Sequence, residues 1–507
     1  MFDISFFEMS IYEIAVTTIY IINFMVILNL IFREKRNINT TLTWLLILVL
    51  IPALGFILYI AFGRNISKNN MFRLKEKDDK IIKSNILDTQ VKLQSTSEID
   101  SDIHQHKDMI YALANSNNAH YTNNNDVWIY AESSQFFNSL LEELKKAKKY
   151  INIQFYIFKD DKIGTEIIDI LIDKAKEGVE VRLLFDAVGG RTLKNSTLSR
   201  LKESGVKVGS FFPSFLKIVN FNLNYRNHRK IVVIDGKVGF VGGYNVGDEY
   251  LGRNPKFGLW RDTHTKLTGD CVIDLNMRFI LDWRYTTKED LDLEKYFIEE
   301  DTNSNHPSEN IGIQIVSSGP DISELDEIKY GYLKMIQKAR KYIYIQSPYL
   351  ILDSTFIDTL KIACLSGVDV RVMIPSKPDH PFVYWASYSY AGELLKFGAK
   401  IYTYGQNAFL HAKTIVIDDS ICSIGTANMD IRSFELNFEV NAFMYSSKKA
   451  LEQRIIFEND ILNSKEITLD IYNSRSTYIK IKESISRLLS ACLLYTSDAA
   501  DDTPCVD

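Results

Sequence analysis

Cysteine is scarce in this chain, and the few that occur are widely spaced. The five cysteines are Cys271, Cys364, Cys422, Cys492 and Cys505. No two of them form a Cys-x-x-Cys pair, so neither a structural zinc site nor a disulfide framework is indicated. His104, His106 and His120 lack the cysteine or carboxylate pattern that would complete a set of metal ligands. The sequence therefore predicts no metal site.

A surplus of positive charge is also missing. The 507 residues include 59 lysines and arginines against 64 aspartates and glutamates, which gives a net charge of −5. A general nucleic-acid-binding protein would be expected to carry a basic surplus, so we expect no nucleic-acid partner. The length alone suits about two to four domains.

Charge is absent altogether from one long stretch near the N-terminus. Leu42 to Phe62 contains no charged residue, and Ile14 to Phe32 is interrupted only by threonines and asparagines. Both segments are long enough to cross the hydrocarbon core, so residues 1–66 are predicted to form two transmembrane helices. A cleaved signal peptide and a buried core helix are the alternatives. The first segment lacks a basic start and a second apolar segment follows it, which disfavours the signal peptide.

Basic residues flank these two segments unevenly. The cluster after the second segment is larger, and it consists of Arg64, Lys68, Arg73, Lys75 and Lys77. Because cytoplasmic flanks are enriched in lysine and arginine, the sequence predicts a multi-pass cell-membrane protein with a cytoplasmic catalytic region. Residues 67–125 are polar and are predicted to form a linker with some helix.

The chain does contain a short phrase that occurs twice. His228-Arg229-Lys230 precedes an apolar run that ends at Asp235, and His411-Ala412-Lys413 precedes one that ends at Asp418. Small residues and an asparagine follow each run, namely Gly242, Gly243 and Asn245 in the first copy and Gly425, Thr426 and Asn428 in the second. A repeated histidine, lysine and aspartate at fixed offsets is a way to build one phosphate-handling site from two half-sites.

The repeat extends well beyond this phrase. Residues 146–154 resemble 338–346, and residues 178–182 resemble 367–371, in the same order along the chain. This indicates an internal duplication into units at 126–300 and 301–490. Helical and strand patterns alternate in both units, which predicts an α/β layer fold with a largely parallel central sheet. Residues 491–507 break the helical pattern and are predicted to be a non-native read-through tail.

The repeated residue types suit phosphodiester transfer. One histidine can attack phosphorus, while a second donates a proton to the leaving alcohol and later withdraws one. Lysines supply positive charge to the non-bridging oxygens. The candidate catalytic residues are therefore His228, Lys230, Asp235, His411, Lys413 and Asp418. Hydrogen bonds to phosphate, or support for the histidines, could come from Asn245, Asn428 and Thr426.

The paired His-x-Lys-x4-Asp motifs resemble those of the phospholipase D superfamily. The whole layout, two apolar segments followed by two such units, resembles the bacterial cardiolipin synthases. The resemblance implies two phospholipase D-like α/β sandwich domains packed together. It further implies a phosphatidyltransferase that moves a phosphatidyl group from one phosphatidylglycerol to another, releases glycerol, forms a phosphohistidine intermediate and uses no cofactor.

The resemblance also implies roles for single residues. His228 would be the nucleophile and His411 the acid and then the base, while the two motif lysines grip the phosphate and the two motif aspartates anchor their strands. A downstream carboxylate would orient each histidine, and Glu439 stands at the expected distance after His411. The first unit has Lys256 at that offset, so Asp262 is assigned to His228 instead.

Other functions remain open from the sequence. A phospholipase D-type hydrolase, or a phosphatidyltransferase with another acceptor such as phosphatidylethanolamine, would carry the same motifs, because the acceptor pocket decides between them. A nuclease of the same superfamily is disfavoured by the apolar N-terminal segments and the lack of basic surplus. A non-catalytic membrane scaffold is disfavoured by intact histidines and lysines in both copies.

Overall fold

The computed structural model shows two α/β units that follow a short group of N-terminal helices. The residues it describes are 11–32, 38–59, 105–117, 119–212, 225–255, 258–289, 291, 296, 308–320, 325–405 and 407–493. Most of the predicted linker and of the predicted read-through tail lies outside this set. The basic residues from which the membrane orientation was predicted lie outside it as well.

The N-terminal helices are α1 (Ile11–Phe32), α2 (Ile38–Leu50) and α3 (Pro52–Leu58). The predicted transmembrane hairpin is not supported, because no helix among the described residues is both long and apolar enough to cross a membrane. The second apolar segment is divided between α2 and α3. Pro52 has no N–H and its ring clashes with the preceding turn, so α2 ends just before it.

The first unit is built on a seven-stranded sheet. Its strands are β2 (Asn125–Tyr130), β3 (Tyr150–Phe155), β4 (Glu180–Asp186), β5 (Lys207–Phe211), β6 (Ile231–Ile234), β7 (Val238–Gly242) and β9 (His264–Gly269), in the order β2-β9-β7-β6-β3-β4-β5. The helices are α5 (Ser133–Lys146), α6 (Lys162–Lys176), α7 (Asn195–Glu203) and α8 (Cys271–Thr287). The first three cover one face of the sheet and α8 covers the other.

The second unit repeats this plan on a nine-stranded sheet. Its strands are β1 (Tyr121–Thr122), β10 (Gly312–Ser318), β11 (Tyr342–Gln346), β13 (Asp369–Pro375), β14 (Lys400–Tyr404), β16 (Thr414–Ile417), β17 (Ile421–Gly425), β19 (Glu439–Tyr445) and β20 (Ser464–Ile467). Their order is β1-β10-β19-β17-β16-β11-β13-β14-β20. The helices are α4 (Lys107–Asn117), α9 (Glu327–Lys338), α10 (Ser354–Leu365), α11 (Pro381–Leu395), α12 (Ile431–Glu435), α13 (Ser447–Leu462), α14 (Leu469–Asn473) and α15 (Thr477–Leu493).

The prediction of largely parallel sheets is wrong. Within the two large sheets, only β3-β4-β5 in the first unit and β11-β13-β14 in the second run parallel, and the other pairings are antiparallel. The reason is the short turn after each motif aspartate. Asp235 and Asp418 have positive φ angles of 53° and 51°, which lets the chain reverse at once, so β6-β7 and β16-β17 form antiparallel hairpins.

The two units share a buried apolar cluster. It combines side chains of β6, β7 and α8 with side chains of β10, β16 and β19. Two short parallel strands, β8 (Leu259–Arg261) and β15 (Ala408–Leu410), join the units directly. A further short pair, β12 (Leu350–Ile351) with β18 (Met429–Asp430), lies within the second unit. The interface therefore includes the segments before His411 and Asp262, and an isolated bridge between Asn227 and Phe438 adds the segment before His228.

Candidate active site

Each histidine stands immediately before the central hairpin of its unit. His228 and Lys230 precede β6 and are buried, with exposed fractions of 4% and 0%. The Lys230 ammonium donates to the His228 carbonyl at 2.8 Å, and the Lys413 ammonium donates to the His411 carbonyl at 2.5 Å. Each lysine thus stays beside its own histidine, and the following buried strand holds both residues rigidly.

Each histidine is oriented by a carboxylate from the opposite unit. His228 Nδ1 lies 3.0 Å from both carboxylate oxygens of Glu439, and His411 Nδ1 lies 2.6 Å from Asp262 Oδ2. The prediction that Glu439 serves His411 and that Asp262 serves His228 is therefore wrong. The two carboxylates are exchanged between the units.

The backbone explains this exchange. The His228 N–H donates to the Phe438 carbonyl at 3.0 Å, so the residue before Glu439 is tied to the first motif. The His411 N–H donates to the Arg261 carbonyl at 2.7 Å, so the residue before Asp262 is tied to the second. Because the units pair along these segments, each carboxylate points across the interface. Sequence offsets measured within one unit cannot reveal such a contact.

Hydrogen bonds fix the proton on Nδ1 of His228. Besides Glu439, the Thr426 carbonyl lies 3.2 Å from this nitrogen, and both groups are acceptors. At the other histidine, burial would raise the pKa of Asp262, but Lys413 and His411 outweigh it and lower that pKa below its usual value. Asp262 therefore remains an anion beside His411. Chemistry at phosphorus would then use Nε2 of each ring.

A glycine is required for Asp262 to reach its histidine. A Cβ atom added at Gly243 would lie 1.9 Å from Asp262 Oδ1. The equivalent position of the second unit is Thr426, whose hydroxyl accepts a hydrogen bond from the Val440 N–H at 2.9 Å. The first motif thus ends in Gly242-Gly243 and the second in Gly425-Thr426, because Asp262 needs the space at Gly243.

Two buried arginines brace the site, and sequence reasoning missed both roles. Arg229 donates from Nη1 to both carboxylate oxygens of Asp282 on α8, at 2.8 and 2.7 Å, and from Nε to the Glu439 carbonyl at 3.1 Å. Arg261 donates from Nε and Nη2 to the two carboxylate oxygens of Asp460 on α13, at 3.0 and 2.7 Å. Both ion pairs are buried and charge-assisted, which makes them the strong class of side-chain hydrogen bond.

These arginines come from different positions of the repeat. In the first unit Asp282 pairs with Arg229, the middle residue of the first motif. The second motif has Ala412 at that position, which cannot form an ion pair. Asp460 of the second unit therefore pairs with Arg261 of the first unit. Arg261 precedes Asp262, and the corresponding residue before Glu439 is Phe438. Each carboxylate also accepts a hydrogen bond from a glutamine amide. Gln154 donates to Asp282 at 3.1 Å, and Gln346 donates to Asp460 at 2.7 Å. No pattern in the sequence points to this exchange, because it shows only when the units are superposed in space.

Aromatic rings pack beside both histidines. The Tyr156 ring centroid lies 5.2 Å from that of His228, and the Lys230 ammonium lies 5.5 Å from the same tyrosine ring. Trp260 lies 5.2 Å from His411. Asn245, predicted to contact phosphate or hold a histidine, instead accepts a hydrogen bond from the Ile157 N–H at 3.1 Å, so it supports the segment that carries Tyr156.

The motif aspartates lie away from the histidines, at the far ends of β6 and β16. Asp235 accepts hydrogen bonds from three consecutive N–H groups, those of Lys148, Lys149 and Tyr150, at 2.7–2.8 Å. Asp418 repeats this arrangement with the N–H groups of residues 340–342, at 2.6–2.9 Å. Both therefore hold the start of the neighbouring strand, which is a structural role and not a part in the chemistry at phosphorus.

Asn428, the remaining candidate, and the nearby buried His264 have structural contacts. Asn428 hydrogen-bonds Asp430, whose pKa burial raises to about 6. His264 is fully buried against Phe136, and burial lowers its pKa to about 3, so it is uncharged at neutral pH. Across the described part of the chain, no three histidine, cysteine or acidic side chains are grouped so that they could hold a metal ion.

Comparison with known proteins bears on this arrangement. Residues 140–265 and 332–461 match the family described as cardiolipin synthase, phospholipase D-like domain, and residues 21–64 match the phospholipase D-nuclease N-terminal family. The chain is 47% identical over 490 residues to the major cardiolipin synthase ClsA of Bacillus subtilis, covering 96% of this chain and 100% of that one. It is also 47% identical to cardiolipin synthases of Oceanobacillus iheyensis, over 96% of this chain and 100% of that one, and of Staphylococcus aureus, over 94% and 95%.

A solved structure shows the same fold at much lower identity. The phosphatidylserine synthase of Haemophilus influenzae is 14% identical and has a TM-score of 0.58, covering 76% of this chain and 98% of that one. This confirms the two-unit α/β architecture and leaves the chemistry to be argued from the site itself. With both units matched and near-complete relatives at this identity, the chain belongs to the cardiolipin synthases of the phospholipase D superfamily, which are phosphatidyltransferases.

Proposed function

We propose that this chain joins two phosphatidylglycerol molecules into cardiolipin and releases glycerol. The observation that carries the proposal is the pair of exchanged contacts, Glu439 to His228 and Asp262 to His411. They build two oriented imidazoles, each with its own lysine, at one interface between the units. Transfer of a phosphatidyl group to a second alcohol needs two such groups, one to attack and one to move protons.

The proposed reaction has two balanced steps. His228 Nε2 attacks phosphorus, the bond to the glycerol oxygen breaks, and His411 gives its proton to that oxygen. The terminal hydroxyl of a second phosphatidylglycerol then loses its proton to His411 and attacks phosphorus, and the phosphorus–nitrogen bond breaks. The choice of His228 as the nucleophile comes from the family resemblance.

The lysines and carboxylates would serve the charge that develops in these steps. Lys230 and Lys413 place ammonium groups beside the histidines, where they would stabilise the non-bridging oxygens of the transition state. Glu439 and Asp262 would stabilise the imidazolium form of each ring and fix its direction. The chain's own residues supply the nucleophile, the acid and base, and the positive charge.

We also propose that the N-terminal helices attach the enzyme to the membrane that contains its substrate. Large apolar side chains on α1 and α2 face outwards, with exposed fractions of 60% at Phe24, 63% at Met25 and 61% at Val49. Residues 21–64 match a family found at the N-terminus of phospholipase D relatives. A multi-pass topology with the catalytic units in the cytoplasm remains part of this proposal.

The test follows the products of labelled phosphatidylglycerol. Membranes containing the chain should form cardiolipin and free glycerol in equal amounts, and His228→Ala and His411→Ala should each abolish both. His120→Gln is the matched control, because His120 bonds Asp274 outside the site and its loss should leave turnover within about twofold. Formation of phosphatidic acid in place of cardiolipin would show a hydrolase, and turnover that persists in both alanine variants would overturn the catalytic assignment.

A further inference from the structure

Helix α15 turns its apolar side outwards and its polar side inwards. Tyr478, Ile481, Ile485 and Leu488 are exposed by 67%, 52%, 48% and 71%. Their spacing of three, four and three residues places them in one stripe along the helix. On the inner side Glu483 and Ser486 are buried, with exposed fractions of 4% and 3%. A helix that packs on a water-soluble domain normally shows the reverse arrangement.

The inner polar contacts fix this orientation. Glu483 accepts hydrogen bonds from Arg475 Nε and Nη2 at 2.6 and 3.0 Å, and from the Tyr472 hydroxyl at 3.4 Å. Arg487 forms an ion pair with Glu393 on α11. If the helix rolled to hide its apolar stripe, Glu483 would lose these partners, which is costly for a buried charge. The stripe is therefore held outwards.

A second outward-facing apolar surface lies on a neighbouring helix. Helix α15 packs against α2, which contains no charged residue. On α2 the side chains of Leu42, Leu46 and Leu50 are exposed by 53%, 58% and 73%. Monomeric soluble proteins rarely expose contiguous apolar patches of this kind, so the two helices together indicate a shared apolar environment.

A lysine and two aromatic rings border the stripe. The Lys482 ammonium lies 4.3 Å from the Tyr478 ring centroid and 5.5 Å from that of Trp385 on α11. Lysine, tyrosine and tryptophan beside an apolar face are typical of elements at a membrane surface. In a chain with a net charge of −5, the Lys482 ammonium at the edge of the stripe suits anionic headgroups.

We propose that α15 lies in the surface of an anionic bilayer, with its apolar stripe among the upper acyl carbons and Lys482 at the headgroups. The second catalytic unit would thereby be docked on the membrane through a helix of its own, beside the N-terminal helices. The stripe ends at Leu488, before the predicted read-through tail. This inference extends the proposed lipid substrate to a binding surface, but its test needs no turnover.

The test measures how deeply α15 enters the lipid. The full-length Ile485→Cys chain carries an environment-sensitive fluorophore and is reconstituted in vesicles of phosphatidylserine and phosphatidylcholine, in a His411→Ala background. Ile455→Cys on α13 is the matched control, because Ile455 is apolar and 46% exposed but lies elsewhere on the unit. The unsubstituted chain, treated with the same reagent, sets the labelling background.

The expected result is opposite quenching at the two positions. Nitroxide groups on the upper acyl chain should quench the label at 485 several-fold more than the label at 455, and aqueous iodide should do the reverse. Equal iodide quenching at both positions would overturn the proposal. A disulfide that joins two unlabelled Ile485→Cys chains through position 485 would also overturn it, because the stripe would then be a dimer contact.

A second variant separates docking from folding and from catalysis. Ile481→Ser with Ile485→Ser changes only exposed positions, so thermal unfolding should not shift. Turnover on vesicles should fall on the order of tenfold, while turnover of lipid in detergent micelles should stay within about twofold. Equal turnover by parent and variant on vesicles would count against docking. If the unsubstituted chain forms no cardiolipin at all, the proposed function is refuted, but the quenching result still tests the docking of α15.

Discussion

At the scale of single residues, each histidine depends on a carboxylate far away in the chain. Glu439 is separated from His228 by 211 positions, and Asp262 from His411 by 149. Both contacts are buried, so neither is weakened by bulk water, and each joins the two repeats. The functional unit at this scale is a histidine and a carboxylate drawn from opposite halves.

The exchange predicts which pairs of substitutions are energetically coupled. Double-mutant cycles on unfolding free energy should give a coupling of about 0.5–3 kcal/mol for Glu439→Gln with His228→Asn, and for Asp262→Asn with His411→Asn. The uncrossed combinations should couple more weakly. Each single carboxylate variant should also lose turnover on the order of 10²–10⁴. Stronger coupling of Glu439 to His411 than to His228 would contradict the exchanged arrangement.

The buried arginines predict a sharp difference between arginine and lysine. Arg229→Lys keeps the charge, but one ammonium cannot hold Asp282 while also reaching the Glu439 carbonyl, so the substitution should destabilise the chain by about 1–3 kcal/mol. Arg200→Lys is the control, since Arg200 pairs with Asp169 on the surface and should change stability by less than about 1 kcal/mol. Urea unfolding of both variants measures the difference, and equal midpoints would refute the bracing role of Arg229.

At the scale of elements, the segment before the first unit is built into the second. Helix α4 inserts Met109 and Leu113 into the core of the second unit, and Asp108 pairs with Lys334 and Lys338 on α9. These partners also lower the pKa of Asp108 to about 2, against the effect of burial. The predicted linker at 67–125 thus includes a helix that contributes to a folded sheet layer.

A core substitution in α4 tests this contribution. Leu113→Ala removes a side chain that is 1% exposed, so it should lower the unfolding free energy by about 2–5 kcal/mol. Tyr111→Ala lies on the same helix, but Tyr111 is 53% exposed, so its loss should cost less than about 1 kcal/mol. Thermal or urea unfolding provides the measurement. If both variants unfold like the parent chain, α4 is a linker element without a packing role.

At the scale of the whole molecule, one chain contains a complete pair of histidines. His228 and Glu439, like His411 and Asp262, meet across the interface within a single polypeptide. The shared apolar cluster and the β8-β15 pairing hold the halves together along that interface. Neither repeat could orient its own histidine alone.

A complementation experiment tests this organisation. His228→Ala and His411→Ala chains produced in the same membranes should form no cardiolipin, because each chain lacks one of its two histidines. His411→Ala produced together with the unsubstituted chain is the control that the membranes support turnover. Restored synthesis in the mixture of the two variants would mean that a histidine pair can form between copies.

The sequence by itself determined the repeat, the α/β class and the family, and it predicted His228, Lys230, His411 and Lys413 as the site residues. These follow from local phrases, because a histidine and lysine two positions apart at a strand start must share a face. Only the tertiary structure decided the exchanged carboxylates, the two buried arginines and the mixed strand directions. Those depend on how two similar surfaces meet, and offsets measured along the chain do not specify which partner lies across an interface.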